Sequence, residues 1–194
     1  MKLYMIRHGE STANDEKKHA GWGQVPLTEK GREDAKKAGA LLEGIAFDRI
    51  YVSDLIRAQE TMELALPGAE GIVTPLLREI GVGELSGQRI TDCTEKYGES
   101  YLANKAVYNF APYGGEDHDM HQARIRYFAD QVAKSEEGTV AAFCHAGSVR
   151  CMLEVVLDRW CSPKDYPIYN GSVSIFEYAD GKWTCLEWNK TEKE

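Results

Sequence analysis

Two runs in the chain, Leu3-Tyr4-Met5-Ile6 and Thr139-Val140-Ala141-Ala142-Phe143-Cys144, carry no charged side chain. Such a strand needs cover on both faces, which is the situation inside a parallel sheet with helices packed above and below it. Each run stops at a histidine followed by small residues: Arg7-His8-Gly9 closes the first and His145-Ala146-Gly147 the second. The pattern predicts an α/β fold with polar groups gathered at strand ends.

The remaining elements follow from periodicity. With Thr28 as N-cap, Ala35, Ala38, Leu41, Leu42 and Ile45 recur at helical spacing, with Gly44 near the end. Phe47 to Val52 is expected as a second strand, followed by a helix from about Ser53 to Leu66 that Pro67-Gly68 stops. Further helices are predicted from about His118 to Ala133 and from Ser148 to Leu157. Ser172 to Tyr178 and Lys182 to Asn189, joined through Asp180-Gly181, predict a hairpin. The glycine-rich stretch from about Ile72 to Gly115 is predicted as loops and short helices, and Lys190 to Glu194 as a charged tail. This alternation of strands and helices gives a three-layer α/β/α sandwich, a mostly parallel sheet with helices on both faces. With no repeat and no Pro/Gly/Ser-rich linker, residues 1–194 are expected to form a single domain.

Composition narrows the function. The chain has 31 acidic against 23 basic side chains, a net charge of −8, which argues against nucleic acid or an anionic membrane as partner. Its five cysteines are scattered and form no C-x-x-C pair, so a disulfide framework or zinc site is not expected and a reducing compartment fits. The first residues enter an apolar run too short for a signal-peptide core, and no run approaches the roughly 20 residues of a membrane span. A cytoplasmic location is the expectation.

Ligands of such sheets bind beyond the carboxyl ends of the strands. Arg7 and His8 lie at one such end, His145 at another, and Arg57 falls in the first turn of the helix after the second strand. Two guanidinium forks, two imidazoles and a helix N-terminus suit a tetrahedral oxyanion, with phosphate the natural guest. A neutral imidazole attacking phosphorus forms a phosphohistidine, and arginines stabilise the charge on the transferring group, a mechanism that needs no metal. A leaving alkoxide needs a proton, commonly from a carboxyl with a raised pKa. Glu79 and Glu84 are both candidates, and spacing alone does not choose between them. His118 and His121, interleaved with Asp117 and Asp119, are read as a polar helix N-terminus rather than a metal cluster.

Five segments in order, RHGES at 7–11 with Asn14 following, GWGQVPLTEKG at 21–31, SDLIRAQET at 53–61, LREIGVGELSG at 77–87 and FCHAG at 143–147, resemble the histidine phosphatase superfamily, in its phosphoglycerate mutase-like branch. The resemblance implies that His8 is phosphorylated, that Arg7, Arg57 and His145 hold the phosphoryl group, and that Glu79 rather than Glu84 donates the proton. Ser11, Asn14 and the amide of Ala146 are the implied further substrate contacts, and Glu116 matches a loop bordering the pocket. Mutases of the family usually carry a longer central insertion with consecutive arginines, absent from Thr91 to Tyr113, and Thr or Ser where this chain has Ala20. Both departures favour a cofactor-free phosphatase of small phosphorylated metabolites, either broad in specificity or similar to alpha-ribazole phosphatases. A phosphoglycerate mutase and a non-catalytic phospho-ligand binding member are the alternatives.

Overall fold

A computed structural model describes residues 1–135 and 138–192. Its six-stranded sheet contains β1 (Lys2–Arg7), β2 (Arg49–Ser53), β3 (Ile72–Thr74), β4 (Thr139–Cys144), β5 (Val173–Ala179) and β6 (Lys182–Lys190), in the order β3-β2-β4-β1-β5-β6. The pairings from β3 to β1 are parallel, whereas β5 and β6 add an antiparallel edge. The two uncharged runs are β1 and β4, side by side at the centre, where both faces are covered. In β4, Val140, Ala142 and Cys144 face one core and Ala141 and Phe143 the other, the period of two a strand imposes.

Helices supply the outer layers. On one face, α2 (Glu29–Leu41) and α3 (Ile56–Ala65) contribute Ala38, Ala58, Met62 and Ala65 to the cluster around Phe143. On the other, α5 (His118–Ser135) and α6 (Ala146–Leu157) contribute Ile125, Phe128, Val149 and Met152 to the cluster around Met5. Thr28 caps α2 as expected, its Oγ1 accepting from the Gly31 N–H at 3.0 Å. The hairpin turns through Asp180 and Gly181, both at positive φ, the backbone of a type I′ turn. Of the predicted charged tail, Lys190 belongs to β6 and residues 193 and 194 lie outside the described residues.

The stretch from Ile72 to Gly115 holds short helices as expected, at Pro75–Leu77, Gly83–Leu85 and Ala111–Tyr113, and two elements beyond that expectation. It holds β3 at the sheet edge and α4 (Ile90–Ala106), a 17-residue helical stretch broken at Gly98 (φ 58°, ψ −143°). Its inward side chains are Cys93 and Tyr101 rather than branched aliphatics, which hides its helical period. Together with Ile80, Val82, Leu85, Phe110 and Tyr113 they form a third, smaller core. This layer stands over the carboxyl ends of β1, β2 and β4 and walls the cavity described next.

Candidate active site

The in-register pairing of β1 with β4 sets Arg7 opposite Cys144, so the next residues, His8 and His145, leave the sheet together. The His8 N–H donates to the Cys144 carbonyl at 3.0 Å, and the imidazole centroids are 5.1 Å apart. His8 Nδ1 lies 2.6 Å from the Gly9 carbonyl oxygen. A carbonyl can only accept, so Nδ1 carries the proton and Nε2 is left with its lone pair. Burial, then the positive charges of Arg57 and Arg7, hold the His8 pKa well below the usual histidine value. The product is a neutral imidazole with a free nucleophilic nitrogen. His145 is fully buried, its pKa depressed by the same burial and by Arg57, and its Nε2 is 2.9 Å from Ser53 Oγ.

Gly9 is constrained by close approach. A Cβ there would overlap the Gly31 carbonyl at the start of α2, so the turn that aims His8 is pressed against that helix. The Gly9 N–H also donates to Thr61 Oγ1 at 3.1 Å, and that hydroxyl donates to the Arg57 carbonyl at 2.7 Å. One threonine therefore ties the His8 turn to the α3 turn that carries Arg57.

Both guanidinium groups are anchored by backbone carbonyls rather than by acids. Arg57 donates to Gly21 O at 2.9 Å and Gly23 O at 3.0 Å, and Arg7 to Ile168 O at 2.5 Å. Burial lowers each to about 10, which leaves both charged at neutral pH. Arg7 Nε, Arg57 Nε and His145 Nδ1 are buried with no hydrogen-bond partner among the described residues. Such a set of uncommitted groups beside two fixed positive charges suits a tetrahedral oxyanion.

Glu79 stands across the cavity. It accepts from the Ile80 N–H at 2.9 Å through Oε1 and from the Gly147 N–H at 3.2 Å through Oε2. Burial pushes its pKa up, but His121, Arg150 and those two amides outweigh burial and the net displacement is downward. His121 itself is lowered to about 4 by burial, so at neutral pH the amides and Arg150 hold the carboxylate. This differs from the raised pKa expected of a proton donor. The resting group is ionised, and a dianion bound nearby is what would push its pKa upward.

A model of the histidine phosphatase superfamily, branch 1, matches residues 3–191. The chain belongs to this superfamily. Among its curated relatives, a 2,3-bisphosphoglycerate-dependent phosphoglycerate mutase of Azorhizobium caulinodans is 36% identical over 170 residues, 81% of each chain. A protein of the same name from Gloeobacter violaceus, numbered 2, is 34% identical over 78% of this chain and 73% of its own. Among solved structures, the alpha-ribazole phosphatase of Shigella flexneri superposes with a TM-score of 0.88 at 25% identity, covering 98% of this chain and 96% of that one. A mycobacterial glucosyl-3-phosphoglycerate phosphatase, solved with VO3, gives 0.85 at 25% identity over 97% and 98%. Sequence relatives and structural neighbours thus carry two different activities within one superfamily.

The cavity of this superfamily member has a volume of about 720 Å³ and is walled in part by Arg7, His8, Asn14, Arg57 and Glu79. His145, fully buried with its ring centroid 5.1 Å from that of His8, is not among the lining residues. Ser11 is fully buried and caps the short helix α1 (Thr12–Asp15): its N–H and Oγ both donate to Asn14 Oδ1, at 3.1 and 3.0 Å. Among the cavity-lining residues Asn14 appears and Ser11 and Ala146 do not.

Sequence reasoning missed Arg124. From α5 it donates to the carbonyls of Leu76 (2.9 Å), Arg78 (2.8 Å) and Glu79 (3.2 Å) and pairs with Glu116 at 2.8 Å. Glu116 in turn accepts from the Gly81 N–H at 2.9 Å, so this ion pair clamps both ends of the Glu79 turn. An arginine midway along an amphipathic helix has no local pattern to mark it. His118, placed by sequence in a polar helix start, pairs with Glu154 at 2.9 Å and meets the Trp160 ring edge-on. Its ligating atom lies within 4.8 Å of those of Glu154 and Cys151, and the His118–Glu154 contact already engages two of the three.

Proposed function

We propose that the protein is a phosphatase that hydrolyses small-molecule phosphomonoesters through a phosphohistidine at His8. The observation that carries this reading is the fixed tautomer of His8, with Nδ1–H committed to Gly9 and Nε2 free beside Arg7 and Arg57. Nε2 attacks phosphorus, the ester P–O bond breaks, and the alcohol leaves with a proton from Glu79. Water then attacks the phosphohistidine, losing its proton to Glu79, and inorganic phosphate departs. The arginines carry the negative charge throughout, so no metal is needed. Since the resting Glu79 is ionised, its proton arrives with substrate: a phosphomonoester, with a second pKa of about 6, brings one in its monoanionic form.

The test is release of inorganic phosphate from an ester panel in EDTA by wild type and His8→Ala. The reading expects release by the wild type only; undiminished release by the variant contradicts it. A second reading, phosphoglycerate mutase, is favoured by the names of relatives at 34 and 36% identity. It requires interconversion of 2- and 3-phosphoglycerate that depends on a bisphosphoglycerate primer, with little net release of phosphate.

A further inference from the structure

The phosphoryl-binding groups Arg7, His8 and Arg57 make up only part of the wall of the cavity. Its 720 Å³ lies in the range that holds drug-sized ligands. Much of the remaining wall is apolar, from Ile80, Val82, Ile90, Leu102, Tyr108 and Phe110, all from the layer that stands over the sheet. Leu102 stays 39% exposed, the most accessible of these apolar side chains. Polar ligand bodies gain nothing from such a wall, whereas an aromatic or heterocyclic body gains by leaving water.

The charges are distributed to match. Among the described residues, Glu79 is the one acid on the cavity wall, against five cations: Arg7, Arg57, Lys18, Lys105 and Lys164. Lys18 is paired with Glu16 at 2.5 Å. Lys105 lies over the Tyr101 ring at 5.9 Å, and neither it nor Lys164 has an acidic partner among the described residues. In a chain with a net charge of −8, two lysines without acids on one cleft wall are a localised feature.

We infer a leaving-group subsite, formed by Ile80, Leu102, Phe110, Lys105 and Lys164, for phosphomonoesters whose alcohol is a flat apolar ring system bearing a second anionic group. The inference rests on the phosphatase reading for the chemistry at the phosphoryl site. The arginines take the transferring phosphoryl group, the ring system lies on the aliphatic and aromatic wall, and the lysines take the second anion. A three-carbon phosphoacid has the two anions but no body to cover the wall.

The experiment compares three inert phosphonates by calorimetry: methylphosphonate, 2-naphthylmethylphosphonate, and the latter with a carboxylate on the far ring. The naphthyl body is expected to tighten binding at least about tenfold, and the carboxylate by a further roughly threefold at low salt. In the double variant Lys105→Met, Lys164→Met, whose substitutions keep the aliphatic stems, the ratio between the two naphthyl compounds should fall to about one. Equal binding of all three, or a carboxylate gain that survives in the double variant, overturns the subsite. So does an equal loss for all three, which would make the lysines a general anion funnel. Phosphate release from the matching esters is measured on the same samples: release without the affinity order sinks the subsite alone, and the affinity order without release leaves the subsite standing and sinks the phosphatase reading.

Discussion

In the proposed mechanism His8 has to be uncharged to attack phosphorus, and its surroundings favour that state, because burial and two arginines all oppose protonation. Glu79 makes the opposite demand, since the leaving alkoxide needs a proton that the resting carboxylate lacks. Turnover is therefore expected to fall as pH rises through the pKa of Glu79 in the substrate complex, giving an optimum below neutrality for alkyl esters. Glu79→Gln should cost roughly 10²–10⁴-fold in kcat/KM, which reports phosphoryl transfer to His8 and not the later hydrolysis, on an alkyl phosphate. The cost on p-nitrophenyl phosphate should be far smaller, because nitrophenolate leaves without help. Equal losses on the two esters would remove Glu79 from the donor role. His8, Arg7, Arg57 and His145 were legible because each falls at a strand end or first helical turn within a dense local motif. Arg124, Lys105 and Lys164 were not, because a charged residue on a helix or loop is usually solvated and sequence gives no sign of what the fold brings to it.

Two glycines expose how elements position the site. A Cβ at Gly147, in the first turn of α6, would meet Glu79 Oε1 and the His121 ring. Gly147→Ala is thus expected to displace the carboxylate and lower kcat/KM on alkyl esters by more than on aryl esters, with a modest change in stability. At Gly9 the clash is with the Gly31 backbone, which has no side chain to swing aside. Gly9→Ala should cost on the order of 2–3 kcal/mol in urea denaturation, and an unchanged midpoint would contradict the tight seating of the His8 turn. The central strands, α2 and α5 were readable because their apolar residues keep a clear period. α4 escaped because its buried side chains are cysteine and tyrosine and Gly98 breaks its course. β3 escaped because it is three residues long and exposes Ile72 and Val73 at the sheet edge.

At the scale of the molecule, four of the five histidines are held neutral: His19 and His121 are lowered to about 4, and His8 and His145 lie well below the ordinary value, burial being the largest cause in each. Unfolding releases them to an ordinary pKa of about 6.5, so below that pH the unfolded chain binds protons that the folded one refuses. The contribution is absent above about pH 7 and grows as pH falls toward the folded values. By pH 5.5 the loss should amount to roughly 1 kcal/mol for each of His19 and His121, with His8 and His145 acting in the same direction, visible as a falling urea midpoint. A midpoint flat between pH 7.5 and 5.5 would mean that these rings are not kept neutral. The same acid shift that supplies protons to Glu79 therefore weakens the fold, and working pH is bounded from below by stability. No helix among the described residues is long and apolar enough to cross a membrane.

The central claim is that the phosphoryl group passes through His8, and rapid-quench mass spectrometry tests it most directly. A sample mixed with a slow ester in EDTA and quenched in base should carry one phosphate on the peptide containing His8, stable to base, lost on brief acid treatment, and absent from His8→Ala. Phosphate released at full rate with no phosphopeptide at any quench time, or with the label on another residue, would contradict the account.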